Sequence, residues 1–281
     1  MERMPKRYYA FFTLPTLIAF IIAFFIPFLL GIYLSFTDFT TVTNSHWVGP
    51  SNYVRAFTND NNFLNAAVFT IKFAVVSVIL INALAFGLAL LLTRKLAGTN
   101  FFRTVFFMPN LIGGIVLGYI WQLIINGVLL NFGVDITFSA DYGFWGLIVL
   151  MNWQMAGYMM VIYIAAIQSI PTELVEAAKM DGASAWQMLR SITVPLVMPA
   201  FTICSFLTVS NSFKLFDQNL ALTAGAPARA SAMLALDIFT TFYGRVGYEG
   251  VGQAKAVMFF LFVSLVVLLQ LRVTRAREVE N

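Results

Sequence analysis

The amino-acid sequence predicts an all-α membrane protein with six transmembrane helices. Hydrophobic residues make up 60% of the 281 residues and charged residues only 11%, which is more apolar surface than a soluble core of this length can hide. The apolar residues fall into six long runs, each long enough to cross a bilayer as a helix. The basic residues cluster between alternate runs, which is the pattern that orients membrane helices.

The six apolar runs define the predicted helices in chain order. The first is too long for a signal peptide and lacks a small-residue cleavage site. In the third, Pro109, Gly113, Gly114 and Gly118 predict a kink or close packing. Between the fifth and sixth, a stretch containing several glycines predicts an irregular loop. The helices are predicted at about 10–34, 69–93, 102–126, 143–169, 196–216 and 251–271, within a single domain that spans 1–281.

The distribution of basic residues predicts the orientation. The N-terminus, the loop between helices two and three, the loop between helices four and five, and the C-terminus together carry about eleven basic residues. The loops on the other side carry Arg55, Arg229 and Arg245, together with six acidic residues. Because loops rich in Lys and Arg stay in the cytoplasm, both termini are predicted to be cytoplasmic. The sequence thus predicts a multi-pass protein of the cell (plasma or inner) membrane.

A polar segment at 172–195 joins helices four and five and is much longer than a simple connection requires. Within it, Gly182 supplies a left-handed stop for a first short helix. Ser184 and Gln187 have the spacing of a capping box, which predicts a second short helix that Pro195 closes. A helix–turn–helix placed in a membrane protein's loop predicts a surface that contacts another protein.

The same segment resembles the EAA loop of membrane subunits of binding-protein-dependent ABC importers. The spacing of that loop is satisfied at Glu176, Gly182, Ile192 and Pro195, with Val194 in place of the usual leucine. In that family the loop is a coupling helix that rests in a groove of the cytoplasmic ATPase, and the fold is the type I ABC importer transmembrane domain. The resemblance implies an ATPase contact for Glu176, Ala177, Ala178, Asp181, Gly182 and Ala183.

Further stretches resemble the carbohydrate branch of this family, and above all its first, maltose-type permease. These stretches are 213–217, 222–227 and the external stretch 47–53. In 222–227, Ala226 departs mildly from the family's usual Gly-Gly-Pro ending. The resemblance implies a sugar importer, with an oligosaccharide as the expected substrate. It also implies the partners of such a subunit, which are a second homologous permease, two ATPase subunits, an extracellular or periplasmic sugar-binding protein and membrane lipid.

Polar side chains at mid-membrane depth on helices four and five form the candidate sugar pathway. Aromatic rings beside amides and hydroxyls offer a sugar a flat apolar face and hydrogen-bond partners. The resemblance aligns Tyr158 with a lining tyrosine of the maltose-type importer. For Asn211 and Ser212, hydrogen bonds between helices and contact with a ligand both stay open. Lys214 and Asp217 are predicted to form an ion pair near the external end. The candidate pathway residues are Tyr158, Asn211, Ser212, Thr208, Gln154 and Asn152.

Other kinds of chemistry find no support in the sequence. It contains no Gly-x-x-x-x-Gly-Lys-Ser/Thr motif, so ATP is expected to be hydrolysed on a separate chain. His46 is the only histidine, which argues against His-based catalysis or metal binding. We expect a transporter subunit rather than an enzyme, with no catalytic residue, metal or other cofactor and no nucleic-acid contact. Two alternatives stay open: an ABC importer permease for another small solute such as glycerol phosphate, and a stand-alone carrier.

Overall fold

The computed structural model describes residues 6–58, 62–94 and 97–275. Several charged residues of the orientation pattern lie outside the described residues, namely Arg3, Asp60, Lys95 and Arg277. Within the described ranges, six helices are long and apolar enough to cross a membrane. They are Phe12–Leu34, Asn62–Leu92, Gly114–Phe132, Ala140–Gln168, Ala185–Phe213 and Glu249–Thr274. The predicted all-α membrane class with six transmembrane helices is therefore confirmed.

The described chain is almost entirely helical and contains one short β-hairpin. The first five helices are α1 (Lys6–Phe20), α2 (Ile26–Leu34), α3 (Ser51–Thr58), α4 (Asn62–Leu92) and α5 (Thr99–Phe107), and the hairpin strands are β1 (Thr37–Thr41) and β2 (Asn44–Trp47). The next five are α6 (Gly114–Leu129), α7 (Ala140–Gln168), α8 (Thr172–Met180), α9 (Ala185–Met188) and α10 (Val194–Phe213). The last three are α11 (Asp217–Leu222), α12 (Leu234–Gly244) and α13 (Glu249–Arg275). Wider π-helical turns join α1 to α2 and α9 to α10.

The chain packs as two compact units. The first comprises the described residues within Met1–Phe63 and Ile238–Leu261, and the second comprises those within Leu64–Asp237 and Phe262–Asn281. The single membrane domain predicted for 1–281 stays a prediction.

In the first unit, one buried amide holds the start of the hairpin. The side chain of Asn52, on α3, donates from Nδ2 to the carbonyl oxygens of Ser35 at 3.1 Å and of Thr37 at 2.8 Å. The strands are antiparallel and pair Asp38 with His46. The polar segment after the first span therefore has defined structure, since hydrogen bonds of this kind fix a backbone that an isolated hairpin could not hold.

Lys255, which no sequence pattern singled out, is also buried in the first unit. Lys255, on α13, is fully buried, and its Nζ donates to the Thr241 hydroxyl at 2.9 Å. Its ammonium lies 5.4 Å from the ring centroid of Phe63. A buried ammonium needs such polar and aromatic partners, so Lys255 ties α13 to the helices beside it.

In the second unit, α7 forms the centre of the core. The most apolar stretch of α7 is 67% buried. The corresponding stretches of the spans Asn62–Leu92 and Ala185–Phe213 are each 33% buried. Core side chains from α4, α7 and α10 include Phe73, Ile81, Met159, Tyr163 and Cys204. Because α7 is enclosed on most sides, Gln154 and Tyr163, which it carries, are buried among other helices.

The third predicted helix, 102–126, is not continuous. Helix α5 ends at Phe107, a 3-10 turn covers Met108–Leu111, and α6 begins at Gly114. Ile112, between the two helical parts, has extended dihedral angles (φ −84°, ψ 132°). Pro109 has no amide proton to donate and sits at the start of the 3-10 turn, so the α-helical hydrogen bonds cannot run through this position.

The polar segment at 172–195 is predicted to end at Pro195, and that boundary is wrong. Helix α9, the π-helical turn Leu189–Thr193 and α10 form one continuous helical stretch, so the fifth predicted helix, 196–216, begins earlier, at Ala185. In the π-helical turn the amide of Val194 donates to the carbonyl of Leu189. Pro195 follows directly. It has no amide proton to donate, yet the helix continues through it because the preceding turn is wider than an α-helical turn.

The remaining bounds differ from the predictions mainly at the ends. The spans predicted at 69–93, 143–169 and 251–271 are observed as Asn62–Leu92, Ala140–Gln168 and Glu249–Arg275. The first helical stretch begins at Lys6 rather than near residue 10. The stretch between the fifth and sixth spans is not irregular throughout, because it contains α11 and α12. Hydropathy detects the apolar middle of a helix and misses polar turns at its ends, where water satisfies the side chains.

Candidate functional site

The break in the third span exposes a backbone carbonyl that α7 uses. Gln154, on α7, is buried and donates from Nε2 to the carbonyl oxygen of Ile112 at 3.3 Å. Its Oε1 accepts a hydrogen bond from Nε2 of Gln218 at 2.9 Å. A chain of amides therefore connects the broken span, α7 and α11.

Glycines on α6 allow α11 to come close enough to complete this chain. A Cβ atom added at Gly114 would lie 2.7 Å from the Cβ of Asp217, and one added at Gly118 would lie 2.7 Å from the Cβ of Ala221. Only glycine fits at that separation, as in other close-packed membrane helices. The two glycines thus let α11 approach α6 closely. This brings Gln218, which is on α11, to Gln154 on α7.

These elements surround a cavity of about 430 Å³ in the second unit. Its walls come from the 3-10 turn of the broken span, from α7, from the last turns of α10 and from α11. Most of its polar groups are neutral amides and one phenol, and Lys214 is the charged residue among those that line it. The lining residues are Asn110, Met151, Gln154, Met155, Tyr158, Leu207, Asn211, Lys214, Leu215 and Gln218.

Three of the predicted pathway residues, on two helices, come together at this cavity: Gln154, Tyr158 and Asn211. Gln154 and Tyr158 are one helical turn apart on α7, and the ring of Tyr158 lies 6.4 Å from that of Phe107. Asn211, on α10, is exposed, and its Nδ2 donates to the Leu207 carbonyl at 2.8 Å. A phenol ring and two amides therefore line one space, which can hold a molecule rich in hydroxyl groups.

The structure does not bring the other three predicted residues to this cavity. Asn152 donates to the Ile148 carbonyl of its own helix at 2.8 Å. Thr208 is buried and donates to the Cys204 carbonyl at 2.8 Å. Ser212 is buried as well, and its hydroxyl has no hydrogen-bond partner within the described ranges.

Thr208 belongs instead to a buried polar cluster between α4, α7 and α10. The Tyr163 hydroxyl donates to Oδ1 of Asn82 at 2.7 Å, and Nδ2 of Asn82 lies 3.5 Å from the Thr208 hydroxyl. Such bonds between membrane helices stabilise their packing. For Thr208, the geometry therefore supports packing between helices rather than contact with a ligand.

Three polar lining residues were not predicted from the sequence to lie at the cavity: Asn110, Gln218 and Lys214. The ion pair predicted between Lys214 and Asp217 does not form within this described stretch, and Lys214 lines the cavity instead. Asn110 directly follows Pro109, so the proline was the available signal that this part of the span leaves the helix. Gln218 carried no comparable signal, because it belongs to a stretch that the sequence predicted as a loop.

The polar segment at 172–195 folds locally as predicted in its first half. Gly182 has a positive φ of 78° after α8, and hydrogen bonds from Gly182 to the Lys179 carbonyl (3.1 Å) and from Ala183 to the Ala178 carbonyl (2.9 Å) form a Schellman motif. The capping box of Ser184 is present with Gln187. The six residues proposed for the ATPase contact therefore lie on the second half of α8 and on the tight turn that follows it.

Much of this segment is open to solvent. Met180, a large apolar side chain, is 88% exposed. Glu176, Asp181 and Gly182 are exposed as well. An apolar surface beside exposed carboxylates fits contact with another protein, since it would otherwise meet water.

Comparison with known proteins gives consistent matches over this chain. Residues 85–279 match the family described as "Binding-protein-dependent transport system inner membrane component". The probable starch degradation products transport system permease protein of Thermoanaerobacterium thermosulfurigenes is 46% identical over 97% of this chain and 96% of that protein. The multiple sugar-binding transport system permease protein of Streptococcus mutans is 28% identical over 99% of each.

A solved structure has the same fold. It is the crystal structure of a bacterial ABC transporter involved in the import of the acidic polysaccharide alginate, and it matches with a TM-score of 0.81 over 96% of each chain. Its sequence identity to this chain is 21%, so the likeness bears on the fold alone.

Proposed function

The chain belongs to the family of binding-protein-dependent transport system inner membrane components, and on that premise we propose that it is a permease subunit of an ATP-driven sugar importer. Relatives named for starch degradation products and for multiple sugars extend over nearly the whole chain, which supports a sugar, and an oligosaccharide in particular. The subunit is a transport component of the inner membrane and not an enzyme. ATP hydrolysis belongs to a separate ATPase chain.

The observation that carries the proposal is the cavity of the second unit. Tyr158 offers a ring for stacking against a sugar face, and Gln154, Gln218, Asn110 and Asn211 offer neutral amides for its hydroxyls. The Lys214 ammonium can donate to hydroxyl oxygens as well. We assign this cavity to the half of the translocation pathway that this subunit contributes.

The coupling role rests on the path from the polar segment to the cavity. The helical stretch Ala185–Phe213 begins at the turn after α8 and carries Asn211 in its last turn. A displacement of α8 by an ATPase subunit can therefore reach the cavity wall along one continuous helical stretch. The proposed ATPase contact is made by Glu176, Ala177, Ala178, Asp181, Gly182 and Ala183.

The remaining partners follow from the same proposal. A second, homologous permease completes the pathway, two ATPase subunits bind the cytoplasmic segments, and an extracellular or periplasmic sugar-binding protein delivers the substrate. The exposed apolar side chains along the spans support direct contact with membrane lipid. The eleven basic residues grouped on one side support cytoplasmic N- and C-termini.

The test is sugar uptake by the assembled, purified transporter in liposomes. Tyr158→Ala and Asn211→Ala each remove one contact with substrate, worth on the order of 1 kcal/mol, so uptake should fall several-fold or narrow to fewer sugars. Asn152→Ala is the matched control, because Asn152 does not line the cavity and donates to the Ile148 carbonyl of its own helix, and it should transport at the parent rate. The assignment fails if the two cavity variants lose assembly, or if they transport every sugar at the parent rate.

A second candidate function is import of an anionic solute such as glycerol phosphate. Lys214 favours it, because a cation that lines the cavity and forms no ion pair within this described stretch suits an anion. The same liposomes separate the two. If glycerol phosphate inhibits sugar uptake, the result supports an anionic substrate. If only neutral oligosaccharides inhibit it, the result supports a sugar substrate.

A further inference from the structure

A second concave surface of the second unit lies beside the polar segment at 172–195, called the coupling segment below for the role proposed above. It is a groove of about 580 Å³ between the last turn of α4, helix α8, and α9 with its π-helical turn. The groove is distinct from the cavity described above, and the two share no lining residue. Its lining residues are Leu90, Thr93, Arg94, Val175, Lys179, Ala185, Trp186, Met188, Leu189, Ile192 and Thr193.

The charges of this groove are positive. Arg94 and Lys179 are its charged lining residues, and no acidic side chain lines it. Both are exposed, and neither forms an ion pair in the part of the chain that the structure describes. Arg103, on α5, differs because it donates to the Leu92 carbonyl at 3.0 Å and so caps the end of α4. The groove therefore presents two cations that are available to an external anion.

Apart from Thr93 and Thr193, the remaining lining residues are apolar, and the groove meets the end of a membrane span. Leu90, Leu189 and Ile192 line the groove, and Trp186 is 67% exposed beside them. The span Asn62–Leu92 ends at the groove, and Leu91 on its last turn is 51% exposed. Tryptophan and basic residues at the end of a span lie at the level of lipid headgroups.

We propose that this groove binds an anionic phospholipid. The phosphate lies beside Arg94 and Lys179, and the acyl chains follow the exposed apolar side of α4 from Leu91. Basic pockets at the ends of membrane helices bind anionic headgroups in this way. A lipid in this position touches both the end of α4 and the two short helices of the coupling segment, so it steadies that segment from the membrane side. The groove is not a sugar site, and the proposal holds whatever solute the cavity carries.

The test uses the full chain in lipid nanodiscs, with Trp186 as the reporter. Phosphatidylglycerol or phosphatidylcholine with brominated acyl chains is added at equal mole fraction, and quenching of Trp186 is taken as the difference between the parent and Trp186→Phe. The parent should be quenched more by brominated phosphatidylglycerol. Removing each cation, as in Arg94→Gln and Lys179→Gln, should lower that preference about five-fold, and the double variant should lose it.

Two controls keep the result specific. Arg190→Gln removes an exposed charge from the same segment, but Arg190 does not line the groove, so the preference should persist. Lys179→Arg keeps the charge and should keep the preference. If the variants fail to fold, raising the salt concentration on the parent should abolish the preference. Equal quenching of the parent by both lipids, or an undiminished preference in the double variant, would overturn the proposal.

Discussion

A single glycine decides how closely two helices of the second unit approach. At Gly157, on α7, an added Cβ atom would collide with the backbone of Phe106 and Phe107 at the end of α5. Backbone atoms cannot swing aside as a long side chain can, so α5 would have to move. That end of α5 leads directly into the 3-10 turn that carries Asn110, and hence the shape of the cavity depends on Gly157.

We therefore expect Gly157→Ala to destabilise the protein by about 1–3 kcal/mol, the usual cost of overpacking a well-packed interior. The measurement is the thermal unfolding midpoint of the purified subunit in detergent. Gly87→Ala is the matched control, because Gly87 is also within a membrane helix but an added Cβ atom meets nothing within 4 Å. It should be neutral or slightly stabilising through helix propensity. An unchanged midpoint for Gly157→Ala would show that α5 shifts freely.

Polar residues on one helix can differ in role although they lie one turn apart. Thr208 is buried in the cluster with Asn82 and Tyr163, while Asn211 is exposed at the cavity. Each has satisfied one donor by bonding to the carbonyl four residues earlier, so local bonding does not distinguish them. The neighbouring helix decides which of them faces a protein partner and which faces open space.

The turn of the coupling segment depends on a conformation rather than on limited space. Gly182 has φ of 78°, yet an added Cβ atom there would meet nothing within 4 Å. A side chain at this position is therefore strained only through its backbone, and the strain acts on the Schellman motif that sets the angle between α8 and α9.

Gly182→Leu should cost about 1 kcal/mol or more, while Gly182→Asn should cost less because asparagine tolerates positive φ. We expect sugar-stimulated ATP hydrolysis and uptake by the assembled transporter to fall in the order glycine, asparagine, leucine. Insertion of the subunit in the membrane should not change, and immunoblots of membrane fractions check this. Full activity of the leucine variant would mean that the turn does not transmit movement.

The orientation of the whole molecule is still a prediction from its charges. Two exposed residues suit a test with cysteine: Met180 is 88% exposed on the coupling segment, and Val246 is 96% exposed between α12 and α13. The native Cys204 is fully buried and gives little background.

Val246→Cys should react with an impermeant maleimide in intact cells, because the loops on its side are poor in basic residues. Met180→Cys should react only after the membrane is opened. The parent, with Cys204 as its one cysteine, is treated with the same maleimide as the control. Labelling of Met180→Cys from outside would reverse the orientation and remove the coupling segment from the ATPase side.

The sequence by itself determined those features that arise from short-range patterns. Six apolar runs were enough to predict six spans, because crossing a bilayer demands length and hydropathy alone. The Gly182 stop and the Ser184–Gln187 capping box were predictable, since caps join residues only a few positions apart. The resemblance of the coupling segment to a known loop also rests on such local spacing.

Only the tertiary structure decided which faces of the spans turn inward. Lipid and protein interior are both apolar, so hydropathy does not separate the most apolar stretch of α7, which is 67% buried, from the most apolar stretch of α13, none of which is buried. For the same reason Gln154, Tyr158 and Asn211 could be proposed together with Thr208, which faces a neighbouring helix. The cavity also depends on the broken third span and on the glycine contacts of α6, which bring Gln218 to Gln154 over 64 positions of chain. Contacts between residues so far apart depend on the packing of whole helices, and no local pattern encodes them.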